Sequence, residues 1–218
     1  ATGLLLAAPL VLLGRGGAPS TEACSVTFGD LFAFCRRLPV IAWAIALFAS
    51  FEAMILTLLP VYCLQQGFST EIALFMVSTV VVGDAVLQLP IGALADHMSR
   101  RTLFTGCAVT LLVSSLAIPL LLHTPVIWPL WVLFGASAGG LFTLSLVLIG
   151  ERYRDDELVR ANAHVAQLWG IGCLLGPLLA GAGSQWISGH ALLFLMAAGA
   201  AGLVVLTRRR GAFEPVSA

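Results

Sequence analysis

Few side chains in this 218-residue sequence could do chemistry, and two carboxylates stand out because each falls inside a long apolar run, Glu52 and Asp84. On insertion scales a carboxylate at the centre of a membrane helix is disfavoured by about 2.5–3.5 kcal/mol, so such a group marks a function or a specific partner. Counted at 1.5 Å per residue from Pro39 and from Asp96, the two acids lie about 20 Å and about 18 Å along their runs. On antiparallel neighbouring helices they would share one level. The chain has no Lys, and no Arg lies inside an apolar run. Each acid is therefore protonated, paired with a group from outside this chain, or facing water, and burial without a countercharge favours the neutral form. A carboxyl group that exchanges a proton can couple proton movement to solute movement. Gln88 follows Asp84 by four residues and shares its helix face, and Gln167, about 10 Å into a later run, would extend the same polar stripe. The plainer role for all four is a hydrogen bond joining helices.

Other reactive residue types form no comparable set. Cys24, Cys35, Cys63, Cys107 and Cys173 show no CxxC spacing and read as small apolar fillers rather than zinc ligands or a disulfide framework. His97, His123, His164 and His190 are dispersed, with no two at ligand spacing, so neither a metal nor another cofactor is expected. Gly135-Ala136-Ser137-Ala138-Gly139 has the GxSxG form of a hydrolase nucleophile turn, and His164 follows. That turn needs a strand-to-helix junction. The serine would also lie about 20 Å deep and the histidine only a few ångströms deep, a mismatch of about 15 Å that prevents proton transfer between them. Small residues allowing close helix packing explain the string better, and no enzyme is expected.

The elements that must carry these groups are membrane helices. Hydrophobic residues make up 59% of the chain and charged residues 10%, against about 25% charged in soluble domains. Six apolar runs reach the length of about 20 residues that a bilayer demands: 39–61, 72–95, 102–122, 126–150, 161–183 and 191–207. Turn residues separate them, with Gly67 and Ser69 in 65–70, a minimal hairpin at 123–125, and Gly189 in 184–190. The fold class is an all-α integral membrane bundle. Trp43, Trp128, Trp131, Trp169 and Trp186 include residues near span ends, where anchoring at the interface is the simpler account, with stacking on a substrate as the alternative.

All eleven basic residues are Arg, and they occupy alternate connections: Arg15, Arg36 and Arg37; Arg100 and Arg101; Arg152, Arg154 and Arg160; and Arg208, Arg209 and Arg210. The intervening loops contain none. The positive-inside rule places the Arg-bearing loops and the carboxyl terminus in the cytoplasm. Because the arginines sit at the ends of apolar runs, a nucleic-acid partner is not indicated. The first apolar run, Leu4 to Leu13, is only about half a span, and no basic residue precedes it as a signal peptide would require. Residues 1–13 thus read as the tail of a truncated helix, 14–38 as a cytoplasmic linker with Pro19, Ser20 and Thr21, 39–207 as a six-helix bundle and 208–218 as a tail. This is the pattern left by cutting a twelve-helix protein within helix six.

Between the second and third full spans stands GALADHMSRR, residues 92–101. Gly92 would permit close helix approach, Asp96 lies at a helix end, and Arg100 and Arg101 can bond carboxylates or exposed carbonyls. The string resembles the G-x-L-a-D-r-x-x-R-R signature of the major facilitator superfamily at Gly92, Leu94, Asp96, Arg100 and Arg101, with His97 in place of a basic residue and Ser99 where Gly is common. The strings LLPVYCLQQGFS, VLQLPIGALAD and LWGIGCLLGPLLAG are similar, in order, to helices seven, eight and eleven of the bacterial YcaD-like drug or sugar efflux branch.

The resemblance implies helices seven to twelve of a secondary transporter. Its two six-helix halves would be related by an axis along the membrane normal, with the solute held between them. It further implies an inner-membrane protein working by alternating access, the GALADHMSRR turn acting as a cytoplasmic latch, and a small solute, protons, lipid and the other six helices as partners. Gly172 and Gly176, a GxxxG pair next to Pro177, suit either a moving interface or tight static packing. A scaffold or degenerate half-transporter is the rival expectation, which a second set of six spans upstream would weaken. Asp96→Asn in the full-length protein is expected to reduce transport while membrane abundance stays near normal; unchanged transport removes the latch.

Overall fold

The computed structural model describes residues 28–186 and 189–208, and the expected truncated helix at 1–13 lies outside them. Eight helices make up the described chain: α1 (Phe28–Arg37), α2 (Pro39–Thr57), α3 (Leu59–Gln65), α4 (Thr70–His97), α5 (Arg100–Leu121), α6 (Ile127–Arg152), α7 (Asp155–Trp186) and α8 (Ala191–Arg208). Six of them, α2 and α4 to α8, are long and apolar enough to cross a membrane, with mean hydropathy between 1.6 and 2.1. The end of 14–38, expected to be linker, forms α1. Its Leu31 and Phe34, with Leu38 just beyond it, cluster with Ile41 and Ile45 of α2, Ile149 of α6 and Val165 of α7, and Arg36 and Arg37 remain exposed.

Helix boundaries follow local chemistry that apolarity alone does not reveal. Ser69 caps α4 by accepting from the Ile72 amide at 3.4 Å, and Ser99 caps α5 by accepting from the Thr102 amide at 3.2 Å. Helix α7 starts six residues before the apolar run, at Asp155, because Asp155, Asp156 and Glu157 fill its first turn and favour the positive end of the helix dipole. The first expected span, 39–61, is not one helix. It breaks at Leu58, since Pro60 has no amide to donate to the preceding turn, and resumes as α3.

Within the bundle α4 packs along α6, α2 along α7, and α5 against both α6 and α8. Lipid-like surroundings provide no hydrophobic drive between helices, so close approach of small residues carries the association. On the α2–α7 seam an ideal Cβ at Gly172 would stand 2.6 Å from the Ala46 carbonyl oxygen, and one at Gly176 would stand 2.7 Å from Ser50 Cβ. Ser50 Oγ closes the seam by donating to the carbonyls of Ala46 (2.8 Å) and Gly172 (3.1 Å). The obstructing groups are largely backbone and cannot yield cheaply. Gly172→Ala should therefore destabilise the protein by about 1–3 kcal/mol and lower its thermal midpoint in detergent. Gly170→Ala and Gly181→Ala, where a Cβ meets nothing within 4 Å, should leave the midpoint unchanged or slightly raised.

Candidate functional site

The α4–α6 seam is built by three glycines that bring backbone against backbone. A Cβ at Gly83 would overlap the Val132 carbonyl oxygen, and one at Gly135 would overlap that of Val80. The third, Gly139, faces a side chain. Asp84 lays its carboxylate across the bare Cα of Gly139, where even a methyl group would overlap Asp84 Oδ1 and crowd Gln88 Nε2. Gln88 Nε2 donates to Asp84 Oδ1 at 2.8 Å, joining the pair at i and i+4 as their spacing predicts. The acid is half-buried and oriented by one helix while the backbone of another supports it.

Glu52 projects from α2, half-exposed, within electrostatic reach of Asp84 and also of Cys173 on α7. Gln167 goes elsewhere: its Oε1 lies 3.1 Å from His164 Nδ1 on its own helix, and His164 packs its ring on Phe34 of α1 at 5.1 Å. Helix α7 follows α2 rather than α4, so this residue is directed to α1 and not to the Asp84–Gln88 pair. The GxSxG string proves to be the cradle of Asp84. Ser137 Oγ donates to the Phe134 carbonyl at 3.0 Å, and Ser137 and His164 are not brought together.

Sequence reasoning named Trp169 among the tryptophans but did not group it with the phenylalanines of α2 and α6. Phe48 of α2, Phe142 of α6 and Trp169 of α7 form a three-ring cluster, and Phe51, Phe134 and Trp131 continue it along α2 and α6. Trp131 is fully buried and Trp169 lies mid-helix, so neither anchors an interface. Helical spacing was the available signal, because Phe48 precedes Glu52 by four residues.

At the Arg-bearing end, Arg100 Nη2 lies 2.6 Å from Glu151 Oε1 at the end of α6, and Arg101 Nη2 donates to the Arg208 carbonyl at 3.4 Å. The Arg pair therefore ties the start of α5 to the ends of α6 and α8. Leu94 is exposed, and the side chain of Asp96 lies outside the described residues. Gly92 does not mediate close approach. A Cβ there would meet Thr143 Cγ2 at 4.0 Å, an ordinary contact, and in this helix the tight position is Gly83. At the opposite end Tyr62 OH and His190 Nδ1 are 2.9 Å apart, and the rings of Phe68 and His123 stack at 5.0 Å.

Six membrane-length helices, paired along small-residue seams with two carboxylates partway along them, define a multi-pass helical membrane bundle. The sequence model of the Major Facilitator Superfamily matches residues 41–216, and the chain belongs to that family. It is 31% identical over 155 residues to the uncharacterized MFS-type transporter YcaD of Escherichia fergusonii, covering 71% of this chain and 40% of the relative. An uncharacterized MFS-type transporter of Enterobacter sp. (strain 638) is 29% identical over 157 residues, covering 72% and 40%. The chain thus spans about 40% of the length of the curated relatives it matches.

If Gly139 exists to admit the Asp84 carboxylate, the two positions must be energetically coupled. Gly139→Ala should lower the thermal midpoint in detergent, and adding Asp84→Ala should restore much of the loss. The pair would deviate from additivity by about 1 kcal/mol or more. Strictly additive effects in the double-mutant cycle would show that the cradle is incidental.

Proposed function

We propose that this chain forms one wall of a solute pathway that works by alternating access, and that proton exchange at Glu52 and Asp84 drives export of a small solute. The observation that carries this reading is the support given to Asp84. A carboxylate held at mid-depth by a hydrogen bond from Gln88 and a glycine cradle from a second helix is an expensive feature for a passive scaffold. No Arg lies between the helix ends to neutralise it. Such a group can release a proton when a solute arrives and regain it when the solute leaves.

The remaining parts have natural places in this scheme. Helices α4 and α7 are the least covered of the six, which suits a wall completed by a further six-helix half. The Arg-bearing end is cytoplasmic by the positive-inside rule, the carboxyl terminus with it, in an inner membrane. There Gly92, Leu94, Asp96, Arg100 and Arg101 act as the latch, with Glu151 as a further member. The Arg100–Glu151 pair, with Glu151 exposed and Arg100 partly buried, lies close enough to water to be broken and remade in each cycle. Export as the direction rests on the resemblance to an efflux branch.

The test uses the full-length protein in vesicles that trap a pH-sensitive dye, with ethidium as a drug-like probe and lactose as a sugar-like one. Wild-type protein is expected to move protons when one of the probes is added. Glu52→Gln and Asp84→Asn should each reduce that signal at least tenfold at equal protein content. Unchanged signals in both variants would remove the carboxylates from the mechanism.

A further inference from the structure

Helix α1 has three sides rather than two. Going round it at about 3.6 residues per turn, Phe34 and Leu31 come first, and both are buried against the bundle. Cys35 and Phe32 follow, then Arg36, and last Ala33, Arg37 and Asp30. Cys35 is half-covered and the others are exposed, Phe32 at 72%. One side is therefore packed on protein, the next is apolar and bare at Phe32, and the third is polar. Arg36 follows Phe32 by four residues and stands beside it where the last two sides meet.

The level of α1 in the membrane follows from its attachments. One residue, Leu38, separates it from the spanning helix α2, and Pro39 holds that residue out of helical geometry, at φ −129° and ψ 58°. Phe34 packs on the ring of His164 in α7, with centroids 5.1 Å apart, and shares a cluster with Ile41 and Ile45 of the first two turns of α2. The helix is thus fixed where the apolar layer begins. A bare Phe at that level is unfavourable against water and favourable among acyl chains, and an arginine beside it falls among headgroups.

A preceding segment of the chain, a second copy or lipid could cover this surface. Among the described residues neither Arg36 nor Arg37 has an ion pair, and the acids Asp155, Asp156 and Glu157 belong to the first turn of α7, where the helix dipole favours them. A second copy related by two-fold symmetry would set arginine against arginine. An anionic bilayer surface offers acyl chains to Phe32 and a counter-charge to each arginine at once. We propose that α1 is a membrane-surface helix that binds acidic phospholipid, with Phe32 at the acyl boundary and Arg36 and Arg37 on the headgroups.

The test places the photoreactive p-benzoylphenylalanine at position 32 of the full-length protein, in liposomes of equimolar phosphatidylcholine and phosphatidylglycerol. After irradiation the adducts are identified by mass. Lipid adducts are expected, with phosphatidylglycerol favoured by about 3- to 10-fold; each arginine near an anionic surface supplies about fivefold, and Asp30 offsets part of it. Arg36→Gln combined with Arg37→Gln should bring the two lipids to equal yield while lipid labelling persists, which separates lost charge from lost folding. Arg36→Lys with Arg37→Lys should retain the preference, and high salt should weaken it in the wild type. Adducts on a preceding segment of the chain, or on a second copy, in place of lipid would overturn the proposal. Equal labelling of both lipids in the protein with its arginines intact would overturn it as well.

Discussion

The contact between the Asp84 carboxylate and the bare backbone of Gly139 is the constraint on which the rest of the bundle depends. Water drives helices together in a soluble protein, but lipid is as apolar as leucine, so association must come from dispersion and hydrogen bonding at short range. Short range requires small residues. On the α4–α6 seam Gly83, Gly135 and Gly139 bring the two backbones within contact, and the same seam holds the carboxylate in place. The α2–α7 seam repeats the arrangement in other residues. Gly172 and Gly176 close on Ala46 and Ser50, and Glu52 follows Ser50 by two positions. Each acid is tied to a place where the backbone cannot shift.

The two ends of the bundle are held by different chemistry. At the Arg-bearing end the polar links include an ion pair between partly buried Arg100 and exposed Glu151 and a long hydrogen bond from Arg101 to a terminal carbonyl, beside the apolar cluster that seats α1. Water reaches Glu151 and Arg101, so these polar links hold the end less firmly than the apolar packing does. At the opposite end Tyr62 and His190 join the short helix α3 to the start of α8, and Phe68 and His123 join two loops by ring stacking. The break at Leu58 allows the first of these, because it lets α3 run separately from α2.

Most of the architecture was legible in the sequence because membrane burial leaves long, unambiguous apolar runs. The six spans were readable, as was the packing role of Gly172 and Gly176 and the small-residue meaning of the GxSxG string. Its particular task, receiving Asp84, was not readable, since nothing in a one-dimensional pattern says which helices pair. Gln167 illustrates the same gap: depth put it near the acids, but pairing of α7 with α2 turned it to His164. The missed first turn of α7 has another cause. Asp155, Asp156 and Glu157 continue the helix beyond the apolar layer, where hydropathy carries no signal. Ser99 shows a third kind of loss. Set against a family pattern it looked like a departure, whereas its hydroxyl caps α5.

The pairing also constrains what a moving wall could do. Glu52, Asp84 and the rings of Phe48, Phe142 and Trp169 are borne by four helices, α2, α4, α6 and α7, whose seams are closed by backbone contacts. Closely packed interiors shift between discrete arrangements rather than deforming smoothly. Sliding α2 along α7 would drive Ala46 and Ser50 into neighbouring side chains, and sliding α4 along α6 would do the same to Asp84. For the exchange proposed above, the less resisted motion is therefore of the whole bundle as one body. The acids and rings would keep their mutual geometry, and the polar contacts at the Arg-bearing end could reform around it. A solute site built this way changes its access to either side of the membrane without being dismantled.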